Sequence, residues 1–255
     1  MRGQVAGGRR RPPARNDLRQ YDELAGEWWR PGGAFAMLHW IAAARARLVP
    51  PADRPGAVLL DLGCGGGLLA PHLVGKGYRH IGVDLVASAL GEARARGVAV
   101  VRADVGRLPF ADGTADVVSA GELLEHVPDL PGVVAEACRV LRPGGLLVLD
   151  TLNDTRLARL LAVTVAERVP GGAPPGIHDP DLFVSPSSLA AECDRHGVGL
   201  RFRGIRPGVA GLVRWLVTRR GEVPMVPTFT TAVLYQAIGV KRGATDAGVS
   251  DGVAR

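Results

Sequence analysis

Cysteine is scarce in this chain. Cys64, Cys138 and Cys193 are its only three cysteines in 255 residues, far apart and without metal-ligand spacing. Three thiols cannot all pair within one chain, so neither a disulfide framework nor a cysteine metal centre is expected. A reducing cytoplasm is the compartment that fits. Aromatic residues make up 5% of the sequence and are not gathered on a basic stripe, which counts against nucleic acid as a partner. No uncharged apolar run reaches the roughly 18 residues that a membrane-spanning helix needs. Acid is missing from the start of the chain, where Arg2, Arg9, Arg10, Arg11 and Arg15 precede Asp17, with Gly and Pro among them. That composition predicts a disordered basic tail over residues 1–15, and without an apolar run behind it the tail does not read as a secretory leader. There is no internal repeat and no heptad run.

Apolar residues are plentiful at 47%, enough for a substantial core, and the net charge of +6 favours anionic surfaces such as phospholipid. Residues 17–49 read as helical, interrupted at Pro31-Gly32-Gly33 and ended by the turn at 50–56. Strands and helices then alternate. Strands are expected at Ala57–Leu62, Arg79–Asp84, Val98–Arg102, Ala115–Ala120 and Leu146–Asp150. Helices are expected at Leu68–Gly75, Ala87–Arg96 and Leu130–Leu141, the last stopped by Arg142-Pro143-Gly144-Gly145. This rhythm predicts a doubly wound α/β sheet, mostly parallel, with helices on both faces. Beyond Asp150 the pattern predicts an amphipathic helix over 156–169, a Gly/Pro loop over 170–176, a helix over 187–196, and strands over 200–205 and 228–237. The last strand is expected to run antiparallel.

The strongest local signal is the run from Val58 to Gly67, where a buried strand delivers Asp61 and then Gly63, Gly65, Gly66 and Gly67. Glycines let backbone approach a ligand closely, and ligands of open α/β sheets lie beyond the carboxyl ends of the strands. A dinucleotide site wants G-x-G-x-x-G, but Leu68 stands where the third glycine belongs. S-adenosylmethionine (SAM) has no pyrophosphate for Asp61 to repel. Asp61 would face its methionyl amine, Asp84 its ribose hydroxyls and Asp104 its adenine amino group, with Val105 packed on the ring. Gly63, Gly65, Leu85 and Gly121 join the expected cofactor set. Taken singly, such acids would cap helices; three at successive strand ends suit a SAM pocket.

At these residues the chain resembles the ubiquinone-biosynthesis O-methyltransferases, within the class I SAM-dependent methyltransferases, over roughly residues 20–200. The resemblance rests on Trp28-Trp29, Gly33-Ala34-Phe35, Leu38-His39 and Arg45, on Glu125-His126-Val127-Pro128-Asp129, on Thr151-Leu152-Asn153, and on Gly176-Ile177-His178-Asp179. It implies the Rossmann-like fold with N-terminal helices and a helical lid insertion, and a role for Arg45 in binding SAM. It also implies one methyltransferase domain over 16–242, with 156–186 as a lid or membrane-facing insertion and 243–255 as a flexible tail. The sequence departs from the family at Trp40–Ala44, in the longer loop 171–175, and at Gly121, where a bulkier cofactor-contacting residue is usual. After residue 205 the likeness fades.

Methyl transfer to a phenol requires removal of a proton whose pKa lies near about 10. Glu122, Glu125 and His126 would share one face of a helical turn. Two readings of them stand: a magnesium site able to lower the phenol pKa, and ordering of the loop beside SAM, with Glu125 and His126 as catalytic candidates. His178 is the other candidate base. His39, Trp28 and Trp29 are expected to pack the N-terminal helix over the cofactor. Helix 156–169 carries Leu157, Leu160, Leu161, Val163, Val165 and Val169 with Arg156, Arg159 and Arg168, and reads equally as a lid or as a peripheral contact on the inner membrane face. The expected function is O-methylation of a prenylated quinone precursor, a lipophilic phenol. A soluble phenolic acceptor and a non-catalytic SAM-binding scaffold are the alternatives, and the oligomeric state is open.

Overall fold

Eight strands form one sheet in the order β3-β2-β1-β4-β5-β8-β6-β7. The structure is a computed structural model that describes residues 15–169 and 172–243. The tails expected over 1–15 and 243–255 lie outside these residues, apart from Arg15 and Gly243. Strands β1 (Val58–Leu62), β2 (Arg79–Asp84), β3 (Ala99–Arg102), β4 (Ala115–Gly121) and β5 (Leu141–Leu152) run parallel. β8 (Leu234–Lys241) pairs antiparallel with both β5 and β6 (Val198–Pro207), and β7 (Met225–Thr228) adds a further antiparallel edge to β6. The last strand is thus antiparallel, as expected. β1 and β4 sit at the middle of the parallel part, buried on both faces, which is why they are near-continuous apolar runs. The chain leaves β1 toward β2 and returns at β4 on its other side, so the topological switch point lies between their carboxyl ends.

The helices are α1 (Arg19–Glu23), α2 (Ala36–Ala46), α3 (Ala87–Ala95), α4 (Leu130–Val140), α5 (Arg156–Ala158), α6 (Pro186–Arg195) and α7 (Val209–Thr218). Local chemistry sets several ends. Asp129 caps α4 by accepting from the Gly132 amide, and Ser185 caps α6 by accepting from Ser188. Lys241 Nζ donates to the carbonyls of Cys138 and Leu141, so β8 closes the exit of α4. One core cluster packs α4 and α6 on one face of the sheet, and another joins α2, α5 and α7 around Trp40 and Trp215.

Four expectations need correction. Residues 68–75 make only a single tight turn at Ala70–His72, because Pro71 has no amide to donate and Gly67 and Gly75 hold φ of 77° and 79°. Arg142–Gly145 does not separate α4 from its strand. β5 begins at Leu141, and these four residues bulge between the pairs Ala115↔Leu141 and Val117↔Leu146. The strand expected over 228–237 is two, split by residues 229–233. There Asn153 Nδ2 and Thr155 Oγ1 donate to the carbonyls of Thr231 and Ala232 and draw that segment off the ladder. The helix of 156–169 has mixed pitch: α5 continues through a wider π-helical stretch, Arg159–Val165, into a tighter turn at Ala166–Arg168. α7 was not expected at all.

Candidate active site

A cavity of about 1260 Å³ opens at the switch point and extends beneath helix 156–168 and α7. Its polar end is built by strand termini. β1 delivers Asp61 and the glycine loop, in which Gly63 and Gly65 hold φ of 63° and 51°, a region where a Cβ is strained. Space is short there too. A Cβ on Gly63 would press on Leu123, and one on Gly65 would overlap the Trp28 indole. Trp28 stacks on Phe35 at 4.0 Å, Trp29 Nε1 donates to the Gly66 carbonyl at 2.9 Å, and His39 Nε2 bonds the Trp28 carbonyl at 2.8 Å. The N-terminal segment is therefore clamped over the loop, as its aromatic pair suggested. Cys64 is a small buried residue in the loop, seated against Gly82.

Asp84, at the end of β2, accepts from the amides of Gly65 and Val86, each at 2.9 Å. Burial raises its carboxyl above the usual range against the pull of these amides. Asp61 Oδ2 lies 3.4 Å from His80 Nε2, and Asp104 accepts from the Gly106 amide at 2.8 Å. Asp61, Asp84, Asp104, Leu85, Val105, Gly63, Gly65, Gly121 and Arg45 all line the one cavity. Every expected cofactor residue is thus brought to the same place. The donor set suits SAM: three carboxylate positions at successive strand ends, and a buried Arg45 whose Nε has no hydrogen-bond partner among the described residues.

The acceptor side departs further from expectation. Glu122 has a φ of 50°, and only Leu124–His126 makes a tight turn, so the three side chains lack the helical spacing that would align them. Glu125 is fully buried, accepts from the Thr151 hydroxyl at 2.7 Å and does not line the cavity. His126 turns to Asn16, whose Oδ1 lies 2.9 Å from its Nδ1. Among the described residues no three His, Cys, Asp or Glu side chains form a group that could hold a metal ion. Glu122, Glu125 and His126 do not fit magnesium in this arrangement. Burial, then the charges of Glu125 and Asp150, push the Glu122 carboxyl well above the carboxylate range. Burial and the nearby His178 push His126 down to about 3, too weak a base to hold a phenol's proton at neutral pH.

His178 does line the cavity. Its ring stacks on His126 at 5.6 Å and meets the edge of Phe183. Glu167, which nothing in the sequence singled out, lies 3.5 Å from His178 Nδ1 and accepts from the Gly176 amide and from Arg15. Beyond the histidines the walls become apolar, with Met37, Trp40, Ile41, Leu161, Val165, Ile205, Leu212, Trp215 and Met225. Helix 156–168 buries Ala158 and Ala162, not its larger residues; Leu157, Leu160, Leu161 and Val165 are exposed, as are Val209, Val213, Leu216 and Val217 of α7.

A methyltransferase-domain family model matches residues 60–149. Ubiquinone biosynthesis O-methyltransferase of Thiobacillus denitrificans is 40% identical over 182 residues, covering 68% of this chain and 78% of that one. The protein of the same name from Paraburkholderia xenovorans is 37% identical over 185 residues, covering 69% and 79%. Among solved structures, a SAM-dependent methyltransferase of Thermotoga maritima, titled a possible histamine N-methyltransferase, superposes with a TM-score of 0.60 at 20% identity, covering 88% of this chain and 99% of that one. Phosphoethanolamine N-methyltransferase 2 of Haemonchus contortus, solved with SAM, gives 0.56 at 15%, covering 88% and 60%. At those identities the structural likeness is one of fold.

Proposed function

The chain belongs to the ubiquinone biosynthesis O-methyltransferases, and on that premise we propose that it methylates a phenolic hydroxyl on a prenylated quinone precursor. The observation that carries the reading is the continuity of the cavity, which runs from the carboxylates of Asp61, Asp84 and Asp104, past His178, to apolar walls around Trp40 and Trp215. Bound SAM supplies a methyl group on a sulfonium, already activated for displacement. The chain's part is to hold cofactor and acceptor in line and to take the acceptor's proton. Asp61 would receive the methionyl amine, Asp84 the ribose and Asp104 the adenine, with Leu85 and Val105 beside the adenosyl group; all five line the cavity. Arg45 and the glycine loop close the methionyl end. His178, which lines the cavity between the carboxylates and the apolar walls, would take the proton of the acceptor's phenolic hydroxyl.

A lipophilic acceptor resides in membrane, and the exposed apolar residues of helix 156–168 and α7, flanked by Arg156, Arg168, Arg206 and Arg214, support docking on an anionic bilayer. Among the described residues no helix is long and apolar enough to cross a membrane. The test is methyl transfer from labelled SAM to a short-chain prenylated catechol and to an unprenylated one. Preference for the prenylated acceptor is expected. Equal or reversed preference would move the function to a soluble phenol, and SAM binding without transfer to either would favour a scaffold.

A further inference from the structure

Arg45 reaches the cavity from the last turn of α2, and Asp150 meets it there. Gly121 and Asp150 are register partners at the carboxyl ends of β4 and β5. The guanidinium lies across Gly121, in space that a Cβ at that position would overlap. Its Nη1 donates to Asp150 Oδ1 at 2.7 Å, and the two side chains are 8% and 0% exposed. A guanidinium carries five N–H donors. Among the described residues neither Arg45 Nε nor Asp150 Oδ2 has a hydrogen-bond partner, and buried donors left unspent are costly without a ligand to take them.

We infer that Asp150 is a positioning residue for the cofactor: it fixes Arg45 over Gly121, where the remaining N–H groups meet the α-carboxylate of the methionyl end. In this chain the guanidinium takes the space that a side chain at position 121 would fill. Asp61, two strands away from Asp150 and lining the same cavity, takes the amine. Both ends of the zwitterion then meet an opposite charge. Asp150 itself touches neither cofactor nor acceptor; its carboxylate acts through Arg45. The inference rests on the cofactor reading above and not on the identity of the acceptor.

Calorimetric titration of the full chain with S-adenosylhomocysteine and with 5′-methylthioadenosine separates the roles, because the second ligand keeps the adenosyl thioether and lacks the amino-acid end. Asp150→Asn is expected to weaken S-adenosylhomocysteine by about tenfold or more, the scale of a lost charge-assisted bond. Methylthioadenosine should stay within about twofold. Gly121→Ala should give the same split from the other side of the guanidinium, and it keeps the test alive if Asp150→Asn does not fold. The double variant should bind S-adenosylhomocysteine no worse than Gly121→Ala alone, since both act through Arg45. Equal losses for both ligands would make Asp150 a structural residue and overturn the inference. Unchanged S-adenosylhomocysteine affinity in both variants would overturn it as well. A wild-type chain that binds neither ligand would overturn the cofactor reading, and the inference with it.

Discussion

Glu167 sets a carboxylate 3.5 Å from His178 Nδ1, a neighbour that a lone loop histidine would lack. Burial alone would raise the Glu167 carboxyl, but the His178 ring, the amides of Gly176 and His178 and the Arg15 charge outweigh it and hold the group below its usual range. A carboxylate beside Nδ1 favours the tautomer that keeps the proton there and leaves Nε2 to accept. His178→Ala should lower turnover by about a hundredfold or more, the scale of a lost general base, with S-adenosylhomocysteine affinity unchanged. Glu167→Gln should lower it less, by roughly tenfold, and alter the pH profile of kcat. Turnover of His178→Ala at the wild-type rate would remove the histidine from the mechanism.

Asp116 shows the same balance used for stability. Burial would raise its carboxyl, yet the Val58 amide and the guanidinium groups of Arg142 and Arg54 prevail and lower it. A depressed folded-state pKa stabilises the fold above the unfolded value, near about 3.9, and that contribution is lost as pH falls through the folded value. Asp116→Asn should therefore be less stable than wild type by about 1–3 kcal/mol at pH 7 in urea unfolding. The gap should hold down to roughly pH 5 and narrow below roughly pH 4. A gap that stays constant through this acid range would refute the assignment.

At the scale of elements, the parallel half of the fold was readable because each strand is an apolar run closed by a glycine or an acid. The carboxylates at those strand ends were readable for the same reason. What escaped was decided by partners distant in sequence. α7 repeats apolar residues at helical spacing, with Val209, Leu212, Val213, Leu216 and Val217, but valines and Gly211 weaken a helix signal, and Trp215 needs a surface to meet. That surface is Trp40, one of the residues at which the sequence leaves the family pattern. The two rings meet edge to face at 5.0 Å. A departure near residue 40 and a segment beyond 205 thus explain each other, and neither could be read alone. The burial of Glu125 has a similar cause: its partner, Thr151, lies 26 residues on, in the neighbouring strand β5. Trp215→Ala should cost about 3–5 kcal/mol in urea unfolding, as for other large aromatics removed from a core. A loss under about 1 kcal/mol would mean that α7 rests on the domain without anchoring it.

For the molecule as a whole, the apolar end of the cavity and the exposed apolar face belong to the same two helices. Leu161, Val165 and Leu216 line the cavity and are also exposed, whereas Leu160, Val213 and Val217 are exposed without lining it. A hydrocarbon tail lying in the inner part could leave between these helices straight into lipid, without crossing water. Burying such residues in the interfacial layer is favourable at about 25 cal/mol per Å² of apolar surface, and exposed arginines add attraction to anionic lipid. Charge placed on the outer set should then separate docking from chemistry. The triple variant Leu160→Asp, Val213→Asp, Val217→Asp should cosediment with phosphatidylglycerol vesicles at least about tenfold less than wild type, since it replaces three apolar contacts with three like charges. It should methylate a short, unprenylated catechol in detergent-free buffer at the wild-type rate, because none of the three residues lines the cavity. Turnover of a long-chain prenylated catechol presented in vesicles should fall with the binding. Unchanged cosedimentation would refute docking through this face, and an equal loss on the soluble catechol would show that the substitutions had disturbed the cavity rather than the surface.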